Sequence, residues 1–327
     1  MTELTRPSPA NTRRFVDPQV DPLLDLSPTT VLSDEALPTL RVPARTPLPP
    51  AEGRAAEVTR QVLEVPGPKD APDVGIIVYS PPTLTGPAGC IFHIHGGGYV
   101  VGAAAPQEPL HRIWAAKLDC VIVTVDYRLA PETRAPGNVE DCYAALAWTF
   151  ANAEKLNIDP TRIGVMGESA GGGLAAALAL LARDRGEYPL AFQHLIYPML
   201  DDRTVTRPDP HPIAGEFIWT PHNNHYGWSA LLGVEPGSKG VSPYAAPARA
   251  ENLSGLPPTF IATGALDLFL EEDMEYARRL LRAGVATELH VYPGGPHGFD
   301  FHPTAAVSVQ ARKDSITALG RFLRAKA

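Results

Sequence analysis

Ile163-Gly164-Val165-Met166-Gly167-Glu168-Ser169-Ala170-Gly171 is the stretch whose reading decides the fold. Its first four residues are mostly apolar and strand-like, and from residue 170 to 185 the chain becomes rich in Ala and Leu with helical spacing. Between the two, Gly167 and Gly171 flank Ser169 in a G-x-S-x-G pentapeptide. A strand that passes into a helix this abruptly must turn sharply, and flanking glycines remove the β-carbons that would clash there. The helix then points its unpaired amides and the positive end of its dipole at the serine oxygen. A bland tight turn around a buried serine is the competing reading. The strand before and the helix after argue against it, because this is the setting in which a serine is presented as a nucleophile.

Outward from this turn, the same alternation repeats. Strand-sized runs rich in Val, Ile, Phe and Tyr occur at 57–65, 74–80, 90–95, 120–125, 163–166, 192–197, 259–263 and 288–292. Helical patterns lie between most of them, at 111–117, 138–153, 170–185 and 270–283, with a final one at 305–327. The first two strands are joined by the turn-rich Pro66-Gly67-Pro68-Lys69-Asp70. Strand alternating with helix implies βαβ units and a mostly parallel sheet of eight strands covered on both faces. The segment 200–253 breaks the rhythm. It is rich in Pro, His, Trp and Asn and has no strand signal, so it reads as an insertion with one helix near 223–232. Residues 1–50 contain ten prolines, which leave room only for short helical pieces, such as one at 28–37, in an otherwise extended arm. Phe15, Val16, Leu23, Leu24, Val31, Leu32 and Leu37 give that arm apolar surface to cover something. The catalytic domain is therefore expected at 51–199 and 254–327, with the arm at 1–50 and the insertion at 200–253 together forming a cap.

Composition narrows the classes of function. The chain has 327 residues, 44% hydrophobic and 20% charged, enough for a sizeable core. A formal net charge of −8 argues against a nucleic-acid partner. The longest apolar and small-residue run, 171–182, is too short to span a bilayer, and the first residues carry no apolar signal segment. Cys90, Cys120 and Cys142 are odd in number and widely spaced, which favours free thiols and a cytoplasmic location.

A serine hydroxyl needs a base, and the base needs an orienting carboxylate. His297, in Tyr292-Pro293-Gly294-Gly295-Pro296-His297-Gly298-Phe299, follows the last strand directly and emerges at the same sheet edge as Ser169. Asp267, in Gly264-Ala265-Leu266-Asp267, follows the preceding strand. Its neighbours Glu271, Glu272 and Asp273 compete for the role, but read better as the solvated start of a helix. The order Ser169, Asp267, His297 is that of an α/β-hydrolase. The loop His95-Gly96-Gly97-Gly98-Tyr99 leaves a strand at the same edge, and its glycines let backbone amides approach a ligand closely.

Three separated motifs, His95-Gly96-Gly97-Gly98, Gly167-Glu168-Ser169-Ala170-Gly171-Gly172 and Asp126-Tyr127-Arg128-Leu129-Ala130-Pro131-Glu132, together give a chain that resembles the hormone-sensitive-lipase group of α/β-hydrolases, the capped bacterial esterases. The likeness runs from about residue 60 to the C-terminus. It implies an α/β-hydrolase fold with a helical cap, and hydrolysis of short- to medium-chain carboxylic esters through an acyl-enzyme. It implies Ser169 as nucleophile, His297 as general base and acid, Asp267 as orienter, and the amides of Gly97, Gly98 and Ala170 as the oxyanion hole. The 126–132 motif would be a structural turn. The chemistry needs no metal or organic cofactor; a small-molecule ester is the partner, and a homodimer is the assembly the resemblance suggests. Two departures stand out: Glu168 occupies a position where the best-known members carry Asp or Thr, and Asp267 is followed by Leu268 rather than by proline.

Other features have modest readings. Tyr99, Val100, Phe217 and Trp219 are candidates for the substrate pocket, the last two alternatively for packing the insertion onto the body, as are Tyr226 and Trp228. His222 and His225 lie three apart on a helix without a third metal ligand, so polar capping explains them better. His95 reads as support for the glycine loop. An amidase or deacetylase using the same triad is the nearest alternative. A non-catalytic binding protein on this fold, similar to the plant gibberellin receptors, is a more distant one, since those have the catalytic histidine replaced.

Overall fold

The computed structural model describes residues 12–26, 29–42 and 50–324. Eight strands form one sheet: β1 Thr59–Val65, β2 Val74–Ser80, β3 Ala88–Ile94, β4 Val121–Asp126, β5 Ile158–Glu168, β6 Gln193–Ile196, β7 Thr259–Gly264 and β8 Thr287–Tyr292. Their order is β1-β2-β4-β3-β5-β6-β7-β8. β1 pairs with β2, and β2 with β4, in antiparallel fashion; every later pairing is parallel. The central strand β3 is buried along its whole length, as is expected when helices cover both faces. Fully burying side chains such as Phe92 and Ile94 contributes ~1.5–3 kcal/mol each.

The helices are α1 Asp21–Leu26, α2 Leu37–Leu40, α3 Glu108–Leu118, α4 Gly137–Ala151, α5 Ala170–Arg185, α6 Pro221–Leu232, α7 Leu270–Arg282 and α8 Ala306–Phe322. Among these, α5 is distinctive. Every residue from Ala170 to Ala182 is buried, so the helix is apolar all round and lies inside the body rather than on it. It ends on Gly186 in the left-handed region (φ 70°), whose amide caps the carbonyl of Ala182.

The arm differs from expectation in detail. The helical piece expected at 28–37 is replaced by α1 and α2 on either side, with residues 27–28 outside the described part. Pro38 explains the shift: it sits in the first turn of α2, where proline is tolerated, and would break a helix running into it. The described arm lies on the insertion. Leu32 N donates to Asn223 Oδ1 at 3.0 Å, Asn223 Nδ2 to Thr30 O at 2.7 Å, and Tyr226 Oη to Asp34 at 2.7 Å. Arg41 then ties the arm to the body through Val100 O, Ala130 O and Glu132. The arm's residues 1–11 and 43–49 also fall outside the described part. No helix among the described residues is long and apolar enough to cross a membrane, and the three cysteines are buried free thiols.

Candidate active site

Ser169, Asp267 and His297 come from three strand ends and meet at one point. His297 Nε2 lies 3.0 Å from Ser169 Oγ, and His297 Nδ1 lies 2.8 Å from Asp267 Oδ2. An ionised carboxylate only accepts, so the imidazole proton sits on Nδ1 and Nε2 is left to accept from the serine hydroxyl. Asp267 is fully buried and its other oxygen accepts from the amide of Phe269 at 3.0 Å, so the carboxylate is fixed from both sides. Leu268 in place of proline therefore leaves the carboxylate held. Ser169 has φ 56° and ψ −123°, a strained backbone at the mouth of α5.

The competitors of Asp267 are placed differently from expectation. Glu271 is exposed, but Glu272 and Asp273 are buried rather than solvated, because the inward face of α7 carries them into the body. Glu272 accepts from the amides of Leu200 (2.6 Å) and Asp201 (3.1 Å), and so anchors the start of the insertion. Burial pushes the Asp273 carboxyl well up, with repulsion from Glu272 and Asp267 adding to it.

The glycine loop closes over the serine. Gly97 and Gly98 have φ of 121° and 58°, and their amides donate to no backbone acceptor among the described residues. Ala170 opens α5, so its amide has no acceptor within the helix. His95 holds the loop from behind, with Nδ1 donating to Gly96 O at 2.8 Å and its ring stacked on Tyr127 at 4.4 Å. Burial keeps its pKa below the ordinary histidine value. The 126–132 motif is structural around this loop: Tyr127 Oη donates to His95 O at 3.0 Å, and Ala130 N to Tyr99 O at 2.9 Å.

Of the pocket candidates, Trp219 is at the site, its ring 6.2 Å from that of His297 and against Gly98. Phe217 is half-buried in the neighbouring apolar cluster. Tyr99 and Val100 do not flank an open pocket: both are completely buried. The Tyr99 hydroxyl donates to Met199 O at 2.9 Å and its ring packs on Trp228, because a positive φ of 67° turns the side chain under the loop. Tyr226 serves the arm and Trp228 the packing. His222 Nε2 bonds Leu32 O at 3.1 Å and His225 pairs with Glu235 at 2.7 Å. Among the described residues no group of three or more His, Cys, Asp or Glu converges to hold a metal ion.

Two residues at the site carry no marker in sequence. Tyr197 sets its ring edge-on to His297 at 4.6 Å, and its hydroxyl donates to Asp300 at 2.8 Å. Both line a cavity of about 1090 Å³ between α3 and α8, which none of Ser169, Asp267 and His297 lines. Burial pushes the Asp300 carboxyl up to about 6, against the Tyr197 bond, and Glu168 adds repulsion. The folded protein then holds a proton between pH 4 and 6 that the unfolded chain has released, so this stability is present below pH 4 and lost as pH rises through 6. Asp300→Asn is accordingly expected to stabilise the protein by ~1–2 kcal/mol at pH 8 and by nothing at pH 4. Melting temperatures at the two pH values test this; an equal shift at both would refute it.

Comparison with known proteins agrees with the geometry. Residues 91–301 match a family model described as alpha/beta hydrolase fold. The carboxylesterase NlhH of Mycobacterium tuberculosis is 33% identical over 98% of this chain and 100% of its own length. The esterase LipI of the same organism is 33% identical over 89% of each chain. A solved structure, that of a bacterial heroin esterase, superposes with a TM-score of 0.87 at 40% identity, covering 96% of this chain and 100% of that one. With the sheet order, the turn at Ser169 and these similarities in agreement, the chain belongs to the hormone-sensitive-lipase-like family of α/β-hydrolases.

Proposed function

We propose that this enzyme hydrolyses short- to medium-chain carboxylic esters through an acyl-enzyme on Ser169. The observation that carries the reading is the unbroken chain Ser169 Oγ–His297–Asp267, at 3.0 and 2.8 Å, beside the free amides of the glycine loop. Ser169 Oγ attacks the ester carbonyl while His297 Nε2 takes its proton. The carbonyl oxygen becomes an oxyanion held by the amides of Gly97, Gly98 and Ala170, each worth roughly 2.7–4 kcal/mol in the transition state. The tetrahedral species collapses, the C–O bond breaks, and the alcohol leaves with the proton from His297. Water, deprotonated by His297, attacks the acyl-serine in the same way and releases the acid. Asp267 keeps the imidazole in the required tautomer throughout.

The names of the similar proteins, a carboxylesterase, an esterase and a heroin esterase, support ester rather than amide cleavage. The Trp219 indole, packed against Gly98, crowds the carbonyl site and supports small acyl groups. The test is p-nitrophenol release from acyl esters of increasing chain length, wild type beside Ser169→Ala. Activity is expected in the wild type alone, and highest on acyl chains of short to medium length. Equal rates for both proteins, or turnover of matched amides but not esters, would overturn the reading.

A further inference from the structure

Glu168, the departure singled out in the sequence, is not idle. His93 on β3 is level with Thr124 on β4 and Met166 on β5, and Glu168 lies two residues beyond Met166 on the same face of β5, beneath α3. His93 is fully buried; its Nδ1 lies 3.1 Å from Thr124 Oγ1, and its Nε2 lies 3.0 Å from both Glu168 carboxylate oxygens. The Glu168 side chain is 9% exposed, and among the described residues His93 is its one ion-pair partner. Gln107 Nε2 adds a long contact of 3.4 Å from the start of α3. His111, edge-on to His93 at 4.4 Å, is held neutral by burial and supplies no counter-charge.

The position of this pair is what gives it leverage. Backbone pairing between β3 and β5 ends at Ile94 and Gly167. Beyond it, one strand becomes the glycine loop and the other becomes the turn at Ser169. The His93–Glu168 contact is therefore the side-chain tie at the point where the two functional loops part. The loops have no slack. A β-carbon on Gly171 would overlap the carbonyls of Ile94 and His95, and one on Gly96 would press on Glu168 O and Ser169 Cβ. A small slip between β3 and β5 would move Ser169 relative to the amides that receive the oxyanion.

We propose, resting on the ester-hydrolase reading above, that Glu168 is a positioning residue which, through His93, fixes the nucleophile turn against the glycine loop. Because misplacement by about 1 Å can cost about 10²-fold in rate, Glu168→Ala is expected to lower kcat on p-nitrophenyl acetate about a hundredfold with KM nearly unchanged. Glu168→Gln, which keeps the size and one acceptor, is expected to lose about tenfold and guards against a variant that fails to fold. His93→Ala leaves a buried carboxylate without its partner and is expected to be at least as damaging as Glu168→Ala. The double variant should be no worse than His93→Ala, because the two residues act as one unit.

The experiment measures kcat, KM and melting temperature for all four variants, together with the rate at which a fluorophosphonate probe labels Ser169. Labelling needs the nucleophile, its base and the oxyanion amides, but no ester. Parallel losses in kcat and labelling rate support the proposal. A lowered melting temperature with unchanged rates would make the pair purely structural. A raised KM at constant kcat would place Glu168 on the substrate. Additive losses would separate the two residues. If the wild type is labelled but cleaves no ester, the ester reading fails while the labelling rates still decide on Glu168; a wild type that resists the probe would overturn both.

Discussion

His297→Ala is expected to lower kcat by about five to six orders of magnitude, because the serine then has no base to take its proton and the leaving alcohol no acid to receive one. The three groups act in series, so adding Ser169→Ala to His297→Ala should cost little more. Asp267→Asn should be milder, about 10⁴-fold, since the amide can fill the space while favouring the wrong imidazole tautomer. Single-turnover kinetics on p-nitrophenyl acetate, with circular dichroism to confirm folding, measure all these variants. Near-normal rates in His297→Ala would place the base elsewhere; multiplicative losses in the double variant would mean that Ser169 and His297 do not share a step. The fold should survive these changes. The loop that carries His297 is held by backbone bonds that its side chain does not make, Ala265 N to Tyr292 O at 2.8 Å and Leu266 N to Gly295 O at 2.9 Å.

The legible part of this protein is the part written in local chemistry. A strand, a sharp glycine-flanked turn and a helix follow one another around Ser169, and each has its own signature, so the residues themselves announce this turn. Asp267 and His297 follow because a parallel sheet delivers the ends of successive strands to one edge, and chain order alone then selects which loops can meet.

What is less legible depends on three-dimensional partners. Glu272 and Asp273 look like a solvated helix start because acidic residues suit a helix N-terminus. Both lie on the inward face of α7, and Glu272 accepts there from the amides of Leu200 and Asp201, 72 and 71 residues earlier, so nothing near them in sequence announces their burial. Tyr99 adjoins the glycine loop along the chain, which suggests a place in the pocket wall. The backbone at φ 67° reverses the direction that this adjacency suggests. Glu168 is visible as an oddity, but its partner His93 lies 75 residues earlier, joined to it only by the neighbouring strand positions of β3 and β5.

Gly98→Ala is the second substitution with a large expected effect, and it separates two causes of loop failure. Gly98 has φ 58°, where a residue with a β-carbon is strained by about 1–2 kcal/mol. The same β-carbon would overlap the Trp219 indole, which is itself fixed by donating Nε1 to Asn224 Oδ1 at 3.0 Å. Unable to occupy its place, the loop must move, carrying the amides of Gly97 and Gly98 away from the oxyanion. Loss of one such donor costs about 10²–10³ in kcat, so a fall of at least this size is expected with KM changed far less. Trp219→Ala in the same chain removes the overlap but not the backbone strain. If the indole is the obstacle, the double variant should recover most of the lost kcat; if strain at φ 58° dominates, it should recover none. Steady-state kinetics on one short-chain ester distinguish the outcomes. An unimpaired Gly98→Ala would mean that these amides do not receive the oxyanion, because a loop displaced by its own β-carbon could not stabilise the charge as before.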